Sequence, residues 1–264
     1  MDWYHEVSEN WLKARKTVIT ATEIKGLVAT YKRMSKKDKE AGVVSPAFAA
    51  LWGDKSSTYP IDVSSYGPAA RGHIMEPYAI DEFNMANEVH FHHWDDCIIA
   101  NGLVGFSPDA MDIAQVTEDV KLEVNGKCLM NSIGAVCGLP ERILEVKSFE
   151  PAQHMKAIAT PKMKRDQLMQ LAVAFHVVPT LKTATLLFFC PAAAIPMYSE
   201  TYTADDLHEE IEMVDAIAKE YERTKELCEK LASTLDTNID VTEEKIWQEH
   251  METRKNNSGV FNVG

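Results

Sequence analysis

The apolar and polar positions of this chain predict an alternation of helices and short strands. Residues 8–16 set Trp11 as an apolar anchor among Lys13, Arg15 and Lys16, the composition of a helix start. Val18-Ile19-Thr20-Ala21-Thr22-Glu23-Ile24 follows, and Thr20 or Thr22 can cap a second helix running through Leu27 and Tyr31. Residues 42–67, punctuated by Pro46, Gly53 and Pro60, predict irregular chain that rims a cleft. A helix beginning at Arg71 places Glu76, Ile80 and Phe83 on one face, so an acid interrupts an apolar stripe. Residues 98–106 form an apolar run that ends at Ser107-Pro108-Asp109. Residues 119–130 predict a hairpin turning at Asn125-Gly126. The stretch Ile143-Leu144-Glu145-Val146-Lys147-Ser148-Phe149 reads as a short buried strand, residues 164–176 as an amphipathic helix, 181–190 as a strand and 198–203 as an outer strand. From Ala204 on, Leu207, Ile211, Val214, Ala218, Tyr221, Cys228, Leu231 and Leu235 recur at roughly heptad spacing. We read that helix as packed on its own domain in preference to an intermolecular coiled coil.

Composition narrows the class. With 45% apolar and 25% charged residues, the 264-residue chain has the make-up of a globular protein with a sizeable core. No apolar run reaches the length of a membrane span, and the first residues lack a basic-then-apolar signal, so the expected location is cytoplasmic, without membrane association. Five cysteines with no C-x-x-C argue against a zinc ribbon or an iron–sulfur cluster. The net charge of −13 is unevenly spread: residues 201–264 hold 16 acids against 7 Lys plus Arg, a net of −9, whereas residues 1–40 hold 9 basic residues against 6 acids, a net of +3. A locally basic groove can therefore meet phosphates despite the acidic total. The basic run from Lys32 to Lys39 is read as a solvated loop, with a DNA contact as the alternative.

Candidate chemistry concentrates in two short pieces. Side chains two apart on a strand share a face, so Glu145 and Lys147 project together, and an acid and a base on a mostly apolar strand cost stability unless partnered. Asp109 ends the neighbouring apolar run, and Glu76 is a further acid upstream. Three carboxylates can hold a hard cation through oxygen while a lysine meets a water or phosphate oxygen, the equipment of a magnesium-dependent nuclease. His90, His92 and His93 stand beside Asp95 and Asp96. With no partner for the His90/His92 face, they read as a solvated strand entering a turn, in preference to a transition-metal site.

Taken in order, Trp11-Leu-Lys-Ala-Arg15, Val18-Ile-Thr-Ala-Thr22-Glu23-Ile24, Gly72-His-Ile-Met-Glu76, Ser107-Pro-Asp109, Leu144-Glu-Val-Lys147 and the helix of Gln167 resemble the YqaJ-type viral recombinase nucleases, the family of phage lambda exonuclease in the PD-(D/E)XK superfamily. The resemblance covers residues 11–203. It implies an α/β fold with a restriction-endonuclease-like core, a mixed twisted sheet flanked by helices and a long carboxy-terminal amphipathic helix. The domains expected are a nuclease domain over 1–203, a helical extension packed on it over 204–250, and a tail over 251–264. Glu76, Asp109, Glu145 and the Val146 carbonyl are implied as ligands of two Mg²⁺, with Mn²⁺ as a substitute. Lys147 is implied to orient or activate the attacking water, Arg15, Thr22 and Ser107 to grip a 5′-phosphate, and Gln167 to support the site. The implied activity is 5′→3′ digestion of double-stranded DNA ends, feeding single strands to an annealing partner in viral recombination. A homo-oligomer, a trimeric ring, is implied as well.

Several positions depart from the family pattern. Thr22 stands where lambda exonuclease has Ser, Ser148-Phe149 replaces Cys-Pro, and 35 residues separate Asp109 from Glu145 where a short turn is usual. Gln167 and Gln170 both stand on the helix that should supply the site glutamine, and Gln167, by its distance from Phe175, fits the related nucleases better. The alternatives are an endonuclease or an opposite-polarity exonuclease on the same core, or a non-catalytic DNA-binding protein.

Overall fold

The computed structural model describes residues 4–5, 9–41, 43–57, 65–94, 97–113, 121–124, 127–131 and 139–234. The chain divides into two compact units, Met1–Lys225 and Glu226–Gly264, and the first contains every element of the site. In chain order, β1 (Tyr4–His5), α1 (Glu9–Thr17), β2 (Ile19–Thr20), α2 (Ala21–Arg33), α3 (Lys36–Glu40), α4 (Pro46–Ser56), β3 (Ser65–Tyr66) and α5 (Pro68–Asn87) come first. Strands β4 (His92–His93), β5 (Ile99–Asn101), β6 (Val104–Phe106), β7 (Ala110–Met111), β8 (Lys121–Val124), β9 (Lys127–Asn131) and β10 (Arg142–Lys147) follow. Helices α6 (Pro151–Ala159) and α7 (Pro161–Val177) then lead to β11 (Thr183–Phe189), β12 (Met197–Tyr202) and α8 (His208–Thr234).

Two five-stranded sheets carry the fold, in the orders β12-β11-β10-β7-β4 and β2-β6-β5-β9-β8. Both are mixed: β10 runs parallel to β11 and antiparallel to β7, and β2 runs parallel to β6 while β5 is antiparallel to it. The parallel β10–β11 pair needs a crossover, which α6 and α7 supply. The chain passes from one sheet to the other between β6 and β7, across Ser107-Pro108-Asp109. Proline has no N–H to give a ladder, so Pro108 favours a break in pairing there. That break frees the side chains on either side of it for a site.

Burial explains the strand choice. Leu144 and Val146 pack with Ile80 and Phe83 of α5, whereas Ile143 belongs to the larger core with Leu171, Val173 and Leu186. With apolar groups on both faces, β10 is apolar except for exposed Arg142 at its start and for Glu145 and Lys147. The apolar run 98–106 is two strands: Asn101 pairs with Val104 across a turn in which Gly102 takes φ +62°, the positive value a two-residue hairpin favours. Gly105 is required for space, because a Cβ there would lie 2.7 Å from Val18 Cγ2. Strands β8 and β9 pair with Val124 opposite Lys127, as the expected hairpin requires, and Asn125-Gly126 lie outside the described residues. This hairpin, part of the long segment between Asp109 and Glu145, extends the second sheet beside β5.

Four expectations are corrected. The basic run 32–39, expected as a loop, closes α2 and forms most of α3, on either side of Met34-Ser35. Residues 42–67 include an eleven-residue helix, α4, started by Ser45 with Pro46 in its first turn and anchored by fully buried Phe48. Helix α5 begins at Pro68, before Arg71, and continues through Pro77 to Asn87. The predicted strand around the histidine run shrinks to His92–His93. Among the described residues, no helix is long and apolar enough to cross a membrane.

Candidate active site

Strand β10 delivers Glu145 and Lys147 to one face, and they form an ion pair with each other. Glu145 is 6% exposed, so the pairing is what makes its burial tolerable. Asp109, on the link entering β7, lies beside the same strand: its Oδ2 accepts the Val146 N–H at 2.6 Å. Glu76 approaches from α5 with its side chain 14% exposed. His73 Nδ1 lies 3.3 Å from Glu76 Oε1, and His93 Nε2 lies 3.8 Å from Oε2. The four expected residues thus converge from three elements that the sequence separates by up to 71 positions, from Glu76 to Lys147.

The electrostatics are those of a crowded acid cluster. Desolvation, then Glu145 and Glu76, push the Asp109 carboxyl well above the usual range, against the smaller pull of Lys147 and the Val146 N–H. Burial works to raise Glu76, yet the nearby imidazoles of His73 and His93 prevail and bring it down to about 2. For Lys147, burial works to lower the ammonium pKa, but Glu145, Asp109 and Glu76 outweigh it and raise it. Lys147 is therefore a proton-bearing donor. Among the described residues, no three His, Cys, Asp or Glu side chains stand together as a ready-made metal cage. The donor set nevertheless suits a hard cation, with carboxylates from Glu76, Asp109 and Glu145 and the Val146 carbonyl. Burial, and then the charges of Glu145 and Glu76, disfavour an ionised Asp109, and such a cation would offset both.

A cavity of about 380 Å³ adjoins this cluster, lined by Glu76, Val146, Lys147, Arg71 and Gln153 among others. Buried Arg71 ties α5 to the chain leaving β10: its Nη1 donates to Ser148 Oγ at 3.0 Å and to the Phe149 carbonyl at 3.1 Å, and its Nε lies 3.3 Å from Glu150. Gln167, on α7, accepts from Lys25 Nζ at 3.4 Å on the α2 side, and the glutamine that lines the cavity is Gln153 of α6.

Two residues from Asp109, Ser107 belongs to a second cluster. Its Oγ accepts the Trp11 Nε1–H at 3.4 Å, and the Arg15 guanidinium lies over the Trp11 ring, 4.8 Å from the centroid. Desolvation lowers Arg15, opposed by the nearby charge of Glu23. Glu23 accepts the Thr20 N–H at 2.7 Å at the start of α2. Thr22 stands exposed on the first turn of that helix. Arg15 and Ser107, expected to act together, are thus linked through Trp11.

Sequence reasoning missed His73, His93, Arg71 and Lys55, a lysine of α4 whose side chain is 7% exposed and whose Nζ lies 2.9 Å from Glu23 Oε1 and donates to the Arg15 carbonyl at 2.7 Å. His73 had a usable signal, since i and i+3 on a helix are neighbours of Glu76. His93 had none: its role follows from β4 pairing with β7, which sets His93 opposite Ala110, next to Asp109.

A family model, the YqaJ-like viral recombinase domain, matches residues 10–183. Among solved structures, LHK-Exo in complex with dAMP is similar, at 17% identity and a TM-score of 0.55, over 86% of this chain and 100% of that one. An alkaline exonuclease (LHK-Exo) from Laribacter hongkongensis is likewise similar, at 17% identity and a TM-score of 0.53, with the same coverage. These likenesses establish a shared fold. No curated protein matches the chain. The family match spans α1 to the start of β11, and with it every residue of both clusters; the chain belongs to the YqaJ-like viral recombinase domain family.

Proposed function

We propose that this protein is a Mg²⁺-dependent deoxyribonuclease that digests double-stranded DNA ends in the 5′→3′ direction. The observation that carries the reading is the placement of Ser107 and Asp109 two residues apart on the β6–β7 link. One belongs to a cluster with Arg15 and Trp11, the other to the carboxylates and Lys147. A terminal phosphate held at the first would set a neighbouring phosphodiester near the second. The crystallised relative is an alkaline exonuclease bound to dAMP, a mononucleotide, which supports stepwise release from an end.

Glu76, Asp109, Glu145 and the Val146 carbonyl would hold the cations, which supply Lewis acidity at the scissile phosphate. Protonated Lys147 donates to the attacking water or to a phosphate oxygen, orienting it as charge develops. His73 and His93 keep Glu76 ionised and in place. Arg15 presents a planar fork to the terminal phosphate, and Ser107 adds a hydroxyl. A ring-shaped homo-oligomer and an annealing partner that takes up the exposed strand complete the proposal, on the strength of the family resemblance.

One linear duplex, labelled at either the 5′ or the 3′ end and incubated with Mg²⁺, tests the reading. Early release of mononucleotide from the 5′ label is expected. Early 3′ release reverses the polarity, internal fragments indicate an endonuclease, and tight DNA binding without cleavage in Mg²⁺ or Mn²⁺ indicates a binding protein.

A further inference from the structure

Helix α5 meets the strand of Lys147 on both sides of Glu76, and the two contacts differ in kind. On the carboxy-terminal side Ala79, Ile80 and Phe83 pack with Leu144 and Val146, an apolar contact that holds the helix down without fixing its direction. On the amino-terminal side buried Arg71 grips the two residues that follow Lys147. Its Nη1 donates to Ser148 Oγ at 3.0 Å and to the Phe149 carbonyl at 3.1 Å. The Ser148 hydroxyl in turn donates to the Phe189 carbonyl at 3.1 Å, so its lone pairs are left to the arginine. Arg71 Nη2 donates to Cys190 Sγ at 3.9 Å, just past the end of β11. One planar group thus joins the helix of Glu76, the exit of β10 and the end of the strand parallel to it. A guanidinium presents its donors in a fixed fork, so it sets direction where apolar packing sets only closeness.

The surroundings of Arg71 show what this joint serves. The guanidinium has left water for a hydroxyl, a carbonyl and a thiol, and its anionic partner Glu150, 3.3 Å away, has a largely exposed side chain. Apolar contacts could dock α5 on the sheet without that desolvation. Arg71 also lines the same cavity as Glu76 and Lys147, so the joint stands beside the acid cluster. Its acceptor Ser148 is a position at which this chain departs from the family pattern.

Resting on the reading that Lys147 donates to the attacking water or a phosphate oxygen, we propose that Arg71 is a positioning residue for the hydrolytic step. It acts through Lys147. By tying Ser148 and Phe149 to α5, it fixes the ammonium of Lys147 relative to the carboxylate of Glu76. A displacement of about 1 Å in a group that acts on the reacting atoms costs roughly a hundredfold in rate.

The test is a double-mutant cycle on nucleotide release from a linear duplex in saturating Mg²⁺, counted from both strands so that polarity does not enter. Wild type, R71M, R71K, K147A and the R71M/K147A double variant are compared, with kcat and KM for the duplex determined for each. R71M should lower kcat roughly a hundredfold and change KM by no more than about threefold. R71K, which keeps the charge but not the fork, should recover about tenfold of that loss. In the K147A background R71M should cost no more than about a further threefold, because a lysine that is absent cannot be misplaced. A loss as large in K147A as in wild type would show Arg71 to be a strut for the whole site, and a loss carried by KM would show it to be a substrate contact. Either outcome overturns the proposal. If R71M does not fold, S148A decides, with an expected loss in kcat of about threefold to tenfold that disappears in K147A. If wild type cleaves and neither R71M nor S148A is slower, the proposal falls and the nuclease reading stands. If wild type releases no nucleotide, that reading falls and the proposal with it.

Discussion

Ser107 and Asp109 are neighbours on one link, yet the clusters they belong to are built on opposite electrostatic plans. Around Asp109, three carboxylates face one lysine, and the acid is pushed above its usual range by desolvation and by its like-charged neighbours. Around Ser107 stand the partly buried cations Arg15 and Lys55, both lowered chiefly by desolvation and both opposed by the charge of Glu23, with Asp54 acting on Lys55 as well. The first cluster is short of positive charge, and the second holds cations that lack part of the water around them. A phosphodiester substrate accompanied by divalent cations would correct both at once. The rigidity differs as well. The acid cluster is centred on a buried strand, whereas the cation cluster joins three helices, α1, α2 and α4, and a link through side chains. The first is suited to chemistry, where small displacements are costly, and the second to choosing which end enters.

The largest effects should come from breaking the acid cluster, and two substitutions there should differ in kind. Lys147→Ala should slow cleavage by roughly 10²- to 10³-fold or more, the scale of a lost transition-state donor, while Mg²⁺ still binds. Calorimetry showing Mg²⁺ binding lost as fully as in Asp109→Asn would merge the two roles. Asp109→Asn should abolish activity and weaken metal binding, yet it should stabilise the metal-free protein. The sign follows from the raised carboxyl of the folded state. The native form binds the proton more tightly than the unfolded one, so stability is greatest below the unfolded pKa and is lost as pH climbs from about 4 towards the higher native value. At neutral pH, asparagine removes that penalty while its carbonyl still accepts from Val146. A gain of roughly 1–2 kcal/mol, about 2–6 °C in Tm in the presence of chelator, is expected. A fall in Tm would mean that the acid is not strained by its neighbours.

The two clusters were unequally legible in the sequence. Glu145 and Lys147 could be placed because a strand has a strict period of two, and Asp109 because it ends an apolar run beside a proline. Their convergence with Glu76 depended on the resemblance, since no local period connects α5 to β10. In the cation cluster, Arg15 and Ser107 rested on family motifs alone, and Lys55 was hidden inside a stretch read as irregular. Ser45-Pro46 followed by Ala-Phe-Ala-Ala-Leu-Trp was a usable helix signal, outweighed there by Gly53 and Pro60. Asn101-Gly102 was a turn signal as good as Asn125-Gly126, but the apolar residues on both sides concealed it. Ion pairs between distant elements, such as Lys55 with Glu23, leave no trace in periodicity.

An intermediate effect should come from the cation cluster. Arg15→Ala should narrow the rate difference between 5′-phosphorylated and 5′-hydroxyl duplexes by about tenfold to a hundredfold, the equivalent of roughly 1.5–3 kcal/mol for a charge-assisted contact. Metal affinity, measured by calorimetry on the same protein, should stay at the wild-type value, because Arg15 contributes nothing to the carboxylates. A variant with unaltered end preference but weakened Mg²⁺ binding would collapse the distinction between the clusters.

The smallest effect separates the clusters without any substitution. Lys147 and Glu145 are shielded from solvent, with side-chain exposures of 18% and 8%, so mobile ions should scarcely reach their interaction. A terminal phosphate bound as proposed would, by contrast, arrive from solution surrounded by counterions and release some of them when Arg15 takes their place. The phosphorylated end presents one or two more charges than the hydroxyl end, so the ratio of initial rates should fall by about threefold to tenfold between 50 and 200 mM salt. Single-turnover cleavage on the phosphorylated duplex, measured at saturating DNA, reports the chemical step and should change little over the same range. If that step fell with salt as steeply as the preference did, the acid cluster would be as open to ions as the pocket. The contrast between a sealed hydrolytic centre and an accessible selecting one would then be wrong.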